Sequence, residues 1–185
     1  MSKAVLISIR PKWCEKIANG EKTIEVRKTR PKLDTPFKCY IYCTLQGCNE
    51  FFRVDLGGDV AKWNRGKWWH RKGKVIGEFT CDRIVPITYD GGRLWCPTNA
   101  AFSPATCLSQ TEIIAYIGDK GRCYGWHISD LRIYDTPCDL GEFSPPLENC
   151  IGKVCDEFGC ASCENGGHIK RPPQSWCYVE DLQTK

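Results

Sequence analysis

Residues 4–9, AVLISI, form a nearly continuous apolar run, the pattern of a strand buried on both faces. In the RPKWCEKIANG that follows, Trp13, Cys14, Ile17 and Ala18 make one apolar stripe at helical spacing. Pro11 suits the first turn and Gly20 the residue just past the end, so a three-turn helix is predicted. KTIEVR then alternates: Ile24 and Val26 face one way, and Thr23, Glu25 and Arg27 the other, until Pro31 ends the strand. Lys22, Glu25 and Arg27 thus put both signs of charge into one short ribbon. Such charges either face solvent or floor a cleft that binds something polar.

Further along, FKCYIYCTL (37–45) is rich in aromatic and β-branched residues, and KVIGEFTCDRIVPITY (74–89) predicts one long strand bent near Gly77. Ser109 to Glu112, SQTE, has the spacing of a capping box, and opens a helix through Ile113, Ile114 and Tyr116 toward Gly118. CYGWHISDLRIYD (123–135) predicts a strand bulged around Ser129 and Asp130, and QSWCYV (174–179) the last one. About six strands and two helices without regular βα alternation predict an α+β protein, a mixed or antiparallel β-barrel with two flanking helices. The 185 residues have an even composition, which predicts a single domain over 1–185. Gly, Pro and polar residues accumulate at 46–73 and 136–170, where irregular structure is expected.

Hydrophobic residues at 42% and charged ones at 26% exclude a disordered chain. No apolar run approaches the roughly 20 residues of a membrane span. The apolar segment near Met1 is too short for a signal peptide and lacks a small-residue cleavage site, so a cytoplasmic protein is expected. Its 14 cysteines are then reduced thiols or metal ligands rather than a disulfide framework. Cys14, Cys39, Cys43, Cys81 and Cys123 sit singly in apolar elements, where cysteine packs as a small hydrophobe.

The net charge of +4 is unevenly spread. KWNRGKWWHRKGK (62–74) carries six cations and no acid, whereas 135–165 carries seven acids against Lys153 alone. A basic and an acidic pole give the molecule an oriented field. The basic segment interleaves Lys62, Arg65, Lys67, Arg71 and Lys72 with Trp63, Trp68 and Trp69. Cations attract phosphate and indoles stack unpaired bases at about 1–3 kcal/mol each, which suits single-stranded or looped RNA. The same tryptophans could instead pin a surface loop onto the core.

The order strand, helix, then G-x-K-x-x-E-x-R at Gly20, Lys22, Glu25 and Arg27 resembles the ASCH domain of the PUA-like superfamily. LISIRPKWCEKIANGEKTIEVRK, PFKCYIYCT, VIGEFTCDRI, YGWHISDLRIYD and PPQSWCYVE carry the resemblance. It is nearest to the larger versions of bacteria and phages. It covers most of the chain except a basic tryptophan-rich insertion at about 46–73 and a cysteine-rich one at about 138–170. The resemblance implies a small barrel with a cleft beside the first helix, lined by Lys22, Glu25 and Arg27, and a function on RNA or modified nucleobases. Some small members are amidohydrolases that deacetylate N4-acetylcytidine with a lysine at the Lys22 position, a threonine three residues on, and a glutamate near the second helix. Here Glu25 occupies the threonine position, so an enzyme of that kind would use Lys22 with Glu25 activating water. Glu112 falls near the other acid, where its capping role explains it without chemistry. Three readings follow: an RNA or nucleobase binder, an amidohydrolase on an acylated nucleoside, and a protein-interaction module whose acidic pole meets a basic partner.

His127 and Trp126 lie on opposite faces of their strand, one of them inward. Cys150, Cys155, Cys160 and Cys163 form C-x4-C-x4-C-x2-C, followed by His168 and Cys177. Four thiolates at such spacing can close a tetrahedral zinc shell, with Cys138 as an alternative ligand; free thiols are the competing reading. Elemental analysis separates them. The metal reading expects stoichiometric zinc and loss of folding in chelator, and zinc-free protein that folds unchanged in chelator overturns it.

Overall fold

The computed structural model describes residues 2–45, 71–90, 92–97, 104–146 and 168–182. Among them are two helices, α1 (Pro11–Ala18) and α2 (Gln110–Ile117). Nine strands accompany them: β1 (Lys3–Ile9), β2 (Ile24–Arg27), β3 (Phe37–Cys43), β4 (Lys74–Cys81), β5 (Ile84–Asp90), β6 (Arg93–Trp95), β7 (Arg122–His127), β8 (Ser129–Cys138) and β9 (Trp176–Glu180). The strands form two sheets, ordered β8-β4-β3-β1-β9 and β2-β7-β5-β6. β1 pairs with β3 in parallel and with β9 antiparallel; the pairs of β7 with β2 and β5, and of β5 with β6, are antiparallel. The α+β class with two helices is as expected, but the strand orders are open rather than closed into a barrel.

The strand count exceeds six because two long alternating runs are each interrupted and because β6 adds a short strand that no run marked. Residues 74–89 break at Asp82–Arg83, not at Gly77, and 123–135 break at Ile128. At both breaks the chain leaves one sheet and enters the other. The carbonyl of Arg83 accepts from the His127 amide at 2.9 Å and from the Cys81 thiol at 3.6 Å, which ties the first break down. Asp130, just past the second, takes a left-handed φ of 46°. The helix α1 is also shorter than three turns: Asn19 and Gly20 amides close onto Glu15 and Ile17 carbonyls at 2.9 Å each. Gly20 then turns the chain at φ 75°, where a side chain would be strained.

The chain divides into two compact units. The first comprises Met1–Lys12, Cys39–Glu78 and Ile133–Lys185. Its core joins Ala4, Leu6, Tyr40, Tyr42, Val75, Phe143 and Val179, with the Tyr40 and Phe143 rings edge to face at 4.9 Å. The hydroxyl of Tyr40 donates to Asp181 and accepts from the Leu182 amide at 2.9 Å, so the polar tip of a buried ring is satisfied.

The second unit comprises Trp13–Lys38 and Phe79–Arg132. One face of its four-stranded sheet presents Val26, Val85, Ile87, Leu94 and Cys123 to Ile113 and Ile117 of α2. The helix begins as its sequence specifies. Ser109 caps the Glu112 amide at 3.2 Å, and the Glu112 carboxylate accepts from the Ser109 amide at 2.8 Å. On the other face stand Glu25 and Arg27 of β2, Trp126 and Tyr124 opposite them on β7, and the alternate residues of β5 and β6. Cys14, Cys39, Cys43, Cys81 and Cys123 are all buried thiols, as their apolar settings predict.

Gly125 is required by close packing. A Cβ there would lie 3.0 Å from Ile24 Cγ2 and 3.1 Å from Val85 Cγ2, both on stiff β-branched side chains in the core. Gly125→Ala is therefore expected to lower the unfolding free energy by about 1–3 kcal/mol, measured by urea denaturation; unchanged stability would show that the two strands give way freely.

Candidate functional site

The loop from α1 into β2 is built by its backbone. The Lys22 amide donates to the Lys16 carbonyl at 3.0 Å, which folds the chain back along the helix. The amides of Thr23 and Ile24 both donate to the Ala105 carbonyl, at 2.9 and 3.0 Å. Ile128 then donates to the Thr23 carbonyl at 2.8 Å. The start of β2 is thus clamped between the 104–107 turn and the end of β7.

This clamp buries the charged ribbon. All four residues of β2 are buried, and Lys22 retains 2% exposure. The Glu25 carboxylate lies between two cations, Oε2 at 3.4 Å from Lys22 Nζ and Oε1 at 3.0 Å from an Arg27 nitrogen. Lys22 Nζ also donates to the carbonyls of Ile24 at 2.8 Å and Thr106 at 2.7 Å. Three acceptors therefore match the three N–H donors of an ammonium. The Trp13 ring lies with its centre 5.2 Å from the same nitrogen. Lys22 is thereby held in place by acceptors from β2 and from the 104–107 turn.

Two further cations sit over aromatic rings along the same stretch: Lys28 with Tyr116 at 5.2 Å and Arg30 with Tyr124 at 6.0 Å. Burial pushes the Tyr116 hydroxyl above its usual range; Arg27 draws it back, Glu25 pushes it further, and a hydrogen bond with the Lys28 backbone lowers it. Tyr116 therefore feels both charges of the ribbon.

The sequence-predicted residues divide clearly. Lys22, Glu25 and Arg27 converge. Glu112 serves the α2 cap. His127 is half-buried and its Nδ1 is 2.7 Å from Asp82, while Trp126 is the inward partner, edge to face with Phe37 at 6.0 Å. Lys62, Trp63, Arg65, Lys67, Trp68 and Trp69 lie outside the described residues, as do Cys150, Cys155, Cys160 and Cys163. Arg71 is buried, and burial lowers its pKa while Asp135 opposes that shift; Lys72 is half-buried. Among the described residues no three His, Cys, Asp or Glu side chains gather as metal ligands. Sequence reasoning missed Thr106, whose carbonyl holds Lys22. Its only local signals are the Pro104 turn and the cap after it.

No protein-family model matches this chain, and no curated protein sequence matches it significantly. Solved structures do. A mutant of the ASCH protein of Zymomonas mobilis matches with a TM-score of 0.55 at 16% identity, over 97% of this chain and 92% of that one. The unmutated ASCH protein of Zymomonas mobilis matches with a TM-score of 0.53 at 17% identity, over 96% and 88%. The architecture is therefore an α+β fold shared with these proteins. More narrowly, it is a fold of the ASCH type. No helix among the described residues is long and apolar enough to cross a membrane.

Removing the central carboxylate leaves two buried cations facing one another. Glu25→Ala is expected to cost about 3–5 kcal/mol of stability, and Lys22→Met less, since its loss leaves the Glu25–Arg27 pair intact. Chemical denaturation of both variants checks the order; equal, small losses would mean the ribbon opens to water.

Proposed function

We propose that this protein binds RNA or a modified nucleobase through the Lys22–Glu25–Arg27 ribbon. One observation carries the reading: a buried carboxylate and a buried guanidinium side by side on one strand, in a cluster with one net positive charge. Desolvated charges cost several kcal/mol each, and hydrophobic residues of similar volume would serve stability as well. A carboxylate offers about four acceptor positions, of which Lys22 and Arg27 take two. Glu25 then accepts from the N–H groups of a base edge while Arg27 donates to a ring carbonyl, the pairing by which charged side chains read bases. Lys22 fixes the carboxylate rather than touching the ligand. The basic segment supports the same ligand class by composition, with Lys62, Arg65, Lys67 and Lys72 drawing phosphate and Trp63, Trp68 and Trp69 stacking bases. The saturated ammonium of Lys22 weighs against the amidohydrolase alternative.

The test uses the conservative variant Arg27→Lys, which keeps the charge and loses the planar fork. Calorimetry with short single-stranded RNA and with free nucleosides should show binding weakened about tenfold or more. The wild-type RNA affinity should fall steeply between about 50 and 200 mM salt. Undiminished binding by Arg27→Lys overturns the base site. Sustained turnover of N4-acetylcytidine, lost in Lys22→Met, replaces the binder with the enzyme.

A further inference from the structure

The sheet face that carries Glu25 and Arg27 does not stay buried. Tyr124 stands opposite Arg27 on β7 and is half-buried; farther out, Arg122 faces Thr88, which in turn faces Trp95 on the edge strand β6. The burial alternates as one outward face requires: Cys123, Val85, Ile87 and Leu94 point into the core, while Arg122, Arg93 and Trp95 are exposed. Trp95 is 56% exposed, and among the described residues only Leu45 is another large hydrophobic so uncovered. The Arg30 guanidinium lies 6.0 Å from the centre of the Tyr124 ring.

We propose that this face is a stacking platform for single-stranded RNA, with Tyr124 and Trp95 each taking one unpaired base. The inference rests on the nucleobase reading above and extends it from one base to a strand. Two strand spacings and one step of the pleat separate the two rings by about 12 Å, so they engage different bases of one chain. The exposed Arg93 and Arg122 outnumber the single exposed acid of the outer rows, Asp90, and with Arg30 beside Tyr124 they match a phosphate backbone running across the sheet. A base stacking on the Tyr124 face that Arg30 covers takes the place of that guanidinium and leaves it for phosphate; aromatic faces of this kind accept any unpaired base but cannot reach bases stacked in a duplex. Because Tyr124 shares its row with Arg27, a strand lying on the platform delivers the neighbouring base to Glu25 and Arg27.

Fluorescence anisotropy with a short labelled single-stranded RNA tests this, with free nucleoside titrated into the wild-type protein in parallel. Trp95→Ala, at an exposed edge position, should weaken RNA binding by about 5- to 150-fold with an unchanged melting temperature. Tyr124→Leu should do likewise, and the same sequence as a duplex should bind the wild type far more weakly. If both variants bind RNA within twofold of wild type while nucleoside still binds, the platform is overturned and the base site stands. Equal affinity for duplex and single strand, or no RNA binding by the wild type, overturns the platform as well.

Discussion

The Glu25 carboxylate, buried between Lys22 and Arg27, is the interaction on which the candidate site depends. Any one of these charges alone in that setting would cost several kcal/mol. Together, with two backbone carbonyls completing the lysine, they form a network in which each buried charge has a partner of opposite sign. A network of this kind has one good geometry. It fixes the direction of β2, and hence the face of the sheet on which the Glu25 and Arg27 side chains stand.

That geometry explains why the 104–107 turn is built so closely onto β2. Its carbonyls at Ala105 and Thr106 collect two amides and an ammonium from residues 22–24. The turn ends two residues before the α2 cap at Ser109, and α2 packs on the opposite face of the same sheet. One short segment thus holds both the polar and the apolar face of the second unit. The helix supplies the apolar free energy, and the turn directs the charges.

Much of the fold was legible because local physics set it. The apolar run of β1, the Pro11 start and Gly20 stop of α1, and the SQTE cap of α2 each acted through neighbours in sequence. The mixed-charge ribbon was visible too, as an alternating strand with a lysine before it. Its burial was not, since Thr106 and Trp126 approach it only through tertiary structure. The breaks at Asp82–Arg83 and at Ile128 were hidden for a related reason. Alternation of period two continues across Asp82–Arg83, and the change of phase after Ile128 reads as a bulge within one strand; only pairing partners reveal that the strand has changed sheets. β6, at three residues, is too short to carry a pattern at all.

The tie between Lys22 and Thr106 spans 84 positions of the chain, and β2 finds its ladder partner at Tyr124–His127. Non-local pairings of this kind form after the loop-closure entropy has been met, so they come late in folding. Until β7 has left the ribosome, the ribbon has no mate, and its lysine, glutamate and arginine remain hydrated. Charges on an unmated strand discourage edge-to-edge association. The same three charges that pair with one another in the folded ribbon therefore work against strand association before it is mated.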